Sequence, residues 1–366
     1  MTARLLTPPY GRKPPIAACL QVALEAESQR QAIEAIAHAR KTNAGLVLAP
    51  SDTMHLEASP TDGHLTLFTS GTTGTPKPVR WPWSSLWNNA KHEKTGEGSR
   101  QRWLLCYSVA RFAGVQVTTH VVANDACVIL PSSLTNLNRI VHAGAEFEVT
   151  HISATPSLIR RLLMGGAASR WPNIEQITLG GEYASEGILR QLREAFPAAR
   201  VTSIYASTEA GACFSSSDGQ EGFPRSALAR GFGGRTARLE PDGELVVVRP
   251  DGKEVRTGDF FQLREDRLIF VGRREEIANI GGHKVGVQSI EDRVRTAPGV
   301  SDCLIKIRSN AMLGQVLELT YVGTVPPARL RAWLRENLSR MERPSSVKRA
   351  NEIGLTSSGK VGRKSV

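Results

Sequence analysis

The sequence predicts an α/β fold, with a large unit over residues 1–271 and a small α+β unit over 272–366. Three observations carry that expectation. Short apolar runs alternate with amphipathic helical patterns through the first half of the chain, which argues for a largely parallel sheet. Between about residues 219 and 270 the texture changes to short strands separated by Gly, Asp and Arg turns, the mark of hairpins. Beyond Gly272 the charge balance and the element pattern change together. In order, residues 24–40 set Leu24, Ile33, Ile36 and Ala37 at helical spacing, and residues 45–50 follow as a buried strand. Strands are expected at 127–130, 177–179 and 201–205, with helices between them at 157–163 and 186–195. Hairpin strands follow at 244–248 and 267–271. The last unit reads as a helix over 285–294, strands at 303–307 and 316–322, and a helix over 327–338.

Composition narrows the class. The chain has 366 residues, 40% hydrophobic and 22% charged, enough apolar content for a packed core and too much for a disordered chain. No run approaches the roughly 18 apolar residues of a membrane span, and the Pro-rich start (Pro8, Pro9, Pro14, Pro15) does not read as a secretory signal. A cytoplasmic protein with no membrane partner is the expectation. Five scattered cysteines, without a CxxC, support neither a disulfide framework nor a zinc site. Of the net charge of +11, residues 272–366 hold +8, with 17 Lys and Arg against 9 Asp and Glu. Such asymmetry suits a phosphorylated cofactor or an acidic protein. No nucleic-acid-binding motif accompanies it, so nucleic acid is not expected as a partner.

The chemistry begins at Leu67-Phe68-Thr69-Ser70-Gly71-Thr72-Thr73-Gly74-Thr75-Pro76-Lys77. A strand runs into a loop of hydroxyls and glycines closed by a lysine. Glycines let backbone N–H groups turn toward an anion, and hydroxyls and the ammonium add donors. The spacing is not that of a Walker A loop.

Thr69 to Lys77 resembles the phosphate loop of the adenylate-forming superfamily of acyl-CoA synthetases, nonribosomal peptide adenylation domains and luciferases. Four further stretches resemble that family in its own order: Tyr205-Ala206-Ser207-Thr208-Glu209; Arg256-Thr257-Gly258-Asp259; the run from Gly272 through Gly281-Gly282-His283-Lys284 to Glu291; and Thr356-Ser357-Ser358-Gly359-Lys360-Val361. The resemblance implies a large α/β domain, a small mobile C-terminal domain, and an ATP- and Mg²⁺-dependent ligase that makes an acyl-adenylate and then a thioester. It assigns Thr69, Ser70, Gly71, Thr72, Thr73, Gly74 and Lys77 to the β- and γ-phosphates and Thr208 to the α-phosphate. It further assigns Glu209 to Mg²⁺, Tyr205 to the adenine face, and Gly180, Gly181 and Glu182 to the adenine edge. Asp259 and Arg273 fall to the ribose, and Lys360 to the charge that develops as the carboxylate meets the α-phosphate. Glu275 stands at the hinge, where the family has Asp or Lys. Gly281 and Gly282 would line the passage for CoA or a phosphopantetheine arm, and Asn279 replaces a lysine common in the family.

Arg111, Phe112, Gly114, Ala154, Thr155, Pro156 and Gly181 are the acid-pocket candidates by motif position. Ala154 and Gly181 are small, which leaves room for a small aryl or cyclic acid, and Arg111 suits a second carboxylate or a phenolate. Phe112-Ala113-Gly114-Val115-Gln116-Val117 resembles compact o-succinylbenzoate–CoA ligases, although Val109-Ala110-Arg111 stands where those carry His. The phosphate loop starts early for the family, so a shortened N-terminal region is expected. A homodimer, with a second protomer over the exposed sheet, is one consequence. No carrier domain is fused, so an acyl carrier protein would act in trans. Two other readings stay open: a degenerate member that binds nucleotide or acyl-adenylate as a regulatory partner, and a basic nucleic-acid-binding protein, for which only the net charge speaks.

Overall fold

The computed structural model describes residues 4–6, 26–49, 58–69, 77–90, 100–312 and 314–353. The chain opens with β1 (Arg4–Leu6), α1 (Ala26–Thr42), β2 (Leu46–Leu48), β3 (His64–Thr69), β4 (Lys77–Pro82) and α2 (Trp83–Ala90). Then β5 (Arg102–Leu105), α3 (Phe112–Ala123), β6 (Cys127–Ile129), α4 (Leu137–Glu146), β7 (His151–Ala154), α5 (Pro156–Met164), α6 (Ala167–Arg170), β8 (Gln176–Leu179), α7 (Glu186–Ala195), β9 (Arg200–Ser207) and β10 (Gly211–Ser216) follow. A hairpin region holds β11 (Phe223–Pro224), β12 (Thr236–Leu239), β13 (Glu244–Val248), β14 (Glu254–Arg264) and β15 (Arg267–Arg273). The chain continues through β16 (Ile277–Ile280), β17 (His283–Gly286), α8 (Val287–Val294), β18 (Val300–Asn310), β19 (Gly314–Gly323), α9 (Pro327–Asn337) and β20 (Ser346–Arg349).

The strands sort into four sheets. The main one runs β1-β6-β5-β7-β8-β9-β10. Its strands pair in parallel except for β10, which returns antiparallel on β9. Parallel strands need crossovers, and α4, α5 and α7 supply them. Their apolar stripes meet Ile152, Ile177 and Leu179 from the sheet; Ile188, Leu189 and Leu192 of α7 are at most 2% exposed. Toward β5 and β6 the other face carries Trp103, Leu105 and Val128 against Ile33 and Ile36 of α1 and Val115 and Val121 of α3.

Local chemistry explains where these helices start. At the end of β7 the Thr155 hydroxyl oxygen accepts from the Leu158 N–H at 3.2 Å, and Pro156 fills the first helical position. In the hairpin region β11-β15-β14-β13-β12 form an antiparallel sheet. The last unit has a core of its own, in which Ile290, Val294, Leu330 and Leu334 cover Leu317, Leu319 and Tyr321.

The strands and helices expected from the sequence are present with one boundary shifted, and several elements, among them α3, α4, β5, β7 and β14, were not expected. Helix 285–294 begins only at Val287, because Val285 and Gly286 still pair with Ala278 and Ile277 in β17. Gly286 also lies so close to Val271 that a Cβ there would be 1.8 Å from its carbonyl oxygen. Strand β14, eleven residues long, was not anticipated, because charged residues interrupt its apolar alternation. Leu24 lies outside the described residues. Four cysteines, Cys106, Cys127, Cys213 and Cys303, are buried, and none of them is in a disulfide among the described residues. No described helix is long and apolar enough to cross a membrane.

Leu192 tests the crossover packing. It is fully buried between α7 and the sheet, so Leu192→Ala should cost about 2–5 kcal/mol. A fall in the urea midpoint at unchanged slope is the expected readout.

Candidate active site

In open α/β sheets ligands collect at the carboxyl ends of the strands, and this chain has a cavity of about 1170 Å³ that includes this edge and runs back along the sheet to the first residues of β7, β8 and β9. Lys77, Arg111, Phe112, Thr155, Gly180, Gly181, Thr208, Glu209, Asp259 and Arg273 all line it. Tyr205 and Glu182 line a smaller cavity of about 160 Å³, which shares Gly181, Asp259 and Arg273 with the first. The motifs scattered from Lys77 to Arg273 therefore come together in one place.

Tyr205 sits on β9, stacked on Phe214 of β10 at 5.2 Å and meeting Phe261 edge-on at 5.4 Å. Its hydroxyl donates to Asp259 Oδ2 at 2.6 Å, and Arg273 Nε lies 3.2 Å from Asp259 Oδ1. Asp259 and Arg273 are cross-strand partners on β14 and β15, so the register brings the ion pair together. Burial pushes the Tyr205 hydroxyl well above its ordinary value, and the Asp259 charge pushes it further. Tyr205 is thus a fixed neutral donor. Two of the four or so acceptor positions on the Asp259 carboxylate are taken by these contacts.

Asp259 owes its position to the turn before it. Gly258 has φ +70°, a conformation L side chains rarely adopt. The Thr257 hydroxyl donates to the Leu245 carbonyl at 2.8 Å and accepts from the Asp259 N–H at 3.1 Å. The Gly258 N–H donates to Glu244 Oε1 at 3.2 Å. Glu244, 2% exposed, also accepts from Arg256 at 2.8 Å and pairs with Arg274 at 2.9 Å. Burial raises its affinity for a proton, but the hydrogen bonds from Arg256 and Arg274 outweigh that and hold the carboxyl below its usual range.

The turn after β9 is held from several sides. The Trp81 indole N–H donates to the Thr208 carbonyl at 3.1 Å, and Arg235 Nε donates to the Ala210 carbonyl at 2.7 Å. The Arg235 guanidinium lies 5.7 Å from the Trp81 ring, whose other neighbours include Phe112 at 5.3 Å. Trp81 follows the phosphate-loop strand pairing, in which Thr69 sits opposite Lys77. One buried indole therefore links the loop's base, the Thr208-Glu209 turn and the acid pocket. Glu209 itself is exposed.

Other sequence-derived candidates stand differently. Ala154 is fully buried among Ile152 and Leu179 on the far face of the sheet; its neighbour Thr155 faces the cavity. Gly114 is inside α3, where a Cβ would lie 2.1 Å from the Ser108 carbonyl oxygen, so its smallness serves helix packing rather than the pocket. Pro156 opens α5 and lines the smaller cavity. Glu182 Oε2 accepts from the Ser157 N–H at 3.0 Å, in the first turn of α5, so it anchors the Gly180-Gly181 loop instead of presenting a free edge. Gly281 and Gly282, at φ +56° and +85°, form the two-residue turn between β16 and β17, with nothing within 4 Å of a Cβ at either. Neither is among the described residues lining the two cavities. Ser70, Gly71, Thr72, Thr73, Gly74 and Lys360 lie outside the described residues, as do the side chains of Thr69 and Glu275.

Sequence reasoning missed Glu244, Trp81 and Arg235. Only Glu244 left a signal, as an acidic residue opening an otherwise apolar strand.

A parallel sheet with a tyrosine–aspartate–arginine cluster and a Thr-Glu turn around one cavity fits an adenylate-forming acid–thiol ligase, and the comparisons give that class. Residues 11–259 match the AMP-binding enzyme family, and the chain belongs to it. The chain is 26% identical over 320 residues to a 2-succinylbenzoate–CoA ligase of Lactococcus lactis, covering 81% of this chain and 69% of that one. A 3,4-dihydroxybenzoate–[aryl-carrier protein] ligase of Bacillus anthracis is 26% identical over 121 residues, 33% of this chain and 29% of the relative. Among solved structures, the o-succinylbenzoate CoA synthetase of Bacillus subtilis with its acyl-adenylate intermediate has a TM-score of 0.66 at 19% identity, covering 92% of this chain and 81% of that one.

Glu244 yields a prediction with a definite sign. Its carboxyl is held below the unfolded value of 4.5, so its stabilising contribution is complete above that pH and is lost as the pH falls through the folded value. Glu244→Gln should lower the thermal midpoint at pH 7 and flatten the acid limb of its pH dependence.

Proposed function

We propose that this protein activates a small aryl or cyclic carboxylic acid with ATP and passes the acyl group to a thiol. In the first step a carboxylate oxygen attacks the α-phosphorus, the bond to the β-phosphate breaks, and pyrophosphate leaves. In the second, a thiol sulfur attacks the acyl carbon, the thiol gives up its proton, and AMP leaves. CoA and the phosphopantetheine of a stand-alone carrier protein both fit the basic character of residues 272–366.

The observation that carries the reading is the Tyr205–Asp259–Arg273 cluster beside the Thr208-Glu209 turn. Phe214 stacks on the Tyr205 ring, and Tyr205 lines the smaller cavity, where a planar base could lie against it. Asp259 keeps acceptor capacity for ribose hydroxyls, and Thr208 can donate to the α-phosphate. Arg111, Phe112, Thr155 and Gly181 bound the space for the acid. No group of three His, Cys, Asp or Glu is present among the described residues. Magnesium carried in with nucleotide does not need one, since phosphate oxygens and one or two carboxylates suffice, and exposed Glu209 fits that role. Lys360 would meet the charge on the attacking carboxylate, the 272–366 unit swinging about Glu275 between the two steps.

Acid-dependent pyrophosphate release from Mg-ATP, across aryl, cyclic, amino and fatty acids, tests this. Release is expected with aryl or cyclic acids. It should fall by about 10²-fold or more in Glu209→Gln and Lys360→Ala, typical of losing a group that acts on transition-state charge, with folding retained. Silence across the panel, or undiminished release in both variants, contradicts the reading.

A further inference from the structure

Strands β7, β8 and β9 have two unlike faces. Ile152, Ile177 and Leu179 pack beneath the helices, whereas the residues between them face the large cavity. Register sorts the cavity side into rows across the three strands. Next to the nucleotide end lies the row of Gly180. Behind it comes Ser153–Thr178–Thr202, and behind that His151–Gln176–Arg200. Alternate residues on a strand are about 6.6 Å apart. These rows therefore form a ruler leading away from the reacting carboxylate, with the second row at the far edge of one aromatic ring.

A parallel sheet covered on both faces is apolar on both. Here the second and third rows are polar throughout, and they are organised. Gln176 Nε2 donates to the Thr178 and Thr202 hydroxyl oxygens at 3.2 and 2.9 Å, and the Thr202 oxygen meets the Ser217 hydroxyl at 2.8 Å. With its oxygen receiving from Gln176, the Thr178 hydroxyl has its own proton to donate. Gln116 of α3 lines the same cavity, and its buried side-chain N–H₂ meets no acceptor among the described residues. The carboxylates in the described lining, Glu209, Glu244 and Asp259, belong to the nucleotide end. The end with the second and third rows is rich in donors, and no acidic group lines it among the described residues. A buried donor without an acceptor is costly, and a substrate that brings the acceptor relieves it.

We infer that the acid carries a hydrogen-bond acceptor on the side of its ring opposite the carboxylate. The Thr178 hydroxyl and Gln116 amide would bind that group, with Gln176 fixing the Thr178 orientation. The inference rests on the ligase reading and narrows its substrate class to aryl or cyclic acids with a polar far end. Alkyl-tailed acids are disfavoured.

The test uses the full chain and pyrophosphate release with benzoates bearing hydroxyl, carboxylate or methyl opposite the carboxyl group. The hydroxyl and carboxylate acids should exceed the methyl acid in kcat/KM by about 10-fold or more, because a site built around a hydrogen bond rejects the analogue that lacks it. Thr178→Val, close in shape, should bring that ratio toward one, as should Gln116→Leu, while Thr178→Ser keeps it. A methyl acid used as well as the others, release with fatty acids only, or a ratio unchanged in Thr178→Val overturns this inference and leaves the ligase reading standing. Release with no acid of any kind overturns the ligase reading and this inference with it.

Discussion

Two buried carboxylates and two consecutive arginines hold the nucleotide end of this protein together. Arg273 pairs with Asp259, and Arg274 pairs with Glu244. Burying a carboxylate short of partners is costly, and a shift of β15 against β13 and β14 would strip one arginine from each acid, leaving Glu244 to Arg256 and Asp259 to Tyr205. Arg273 ends the last strand of the hairpin sheet and Arg274 opens the turn after it, just ahead of Glu275. The turn that aims Asp259 and the exit of the chain toward its last unit are thereby one mechanical object.

A second constraint works from the other side. Trp81 is buried between strand β4 and the β9 turn, with its ring near Phe112 and Arg235 and its N–H on the Thr208 carbonyl. It converts three separately encoded segments into one wall of the cavity. Phosphoryl chemistry of this type depends on alignment and charge neutralisation more than on covalent participation. A rigid wall behind Thr208 and Glu209 answers that need.

Much of this was legible in the sequence where function leaves a contiguous motif. Tyr205, Thr208, Glu209, Asp259 and Arg273 were picked out by contiguous motifs that resemble the family's, and the fold brings them to the two adjoining cavities. Of the parallel strands, β6, β8 and β9 were readable from their apolar runs, whereas β1, β5 and β7 were not. What stayed hidden depends on register and on distant partners. Ala154 and Thr155 are adjacent and alternate faces, so only the pairing of β7 with β8 decides which one meets the cavity. Glu182 looked like a ligand group because nothing local reveals that the start of α5 folds back over it. The same holds for Glu244 and for the rows through Thr178 and Gln176. Their meaning comes from strands that are neighbours in the sheet and far apart in the chain.

The most direct test of the central claim follows one oxygen atom. If a carboxylate oxygen bonds to the α-phosphorus and the acyl carbon is then taken by a thiol, that oxygen must leave with AMP. An acid labelled with ¹⁸O in its carboxyl group, turned over with ATP and CoA, should give AMP carrying one labelled oxygen, together with pyrophosphate. Unlabelled AMP, or ADP and inorganic phosphate in its place, would contradict an acyl-adenylate route.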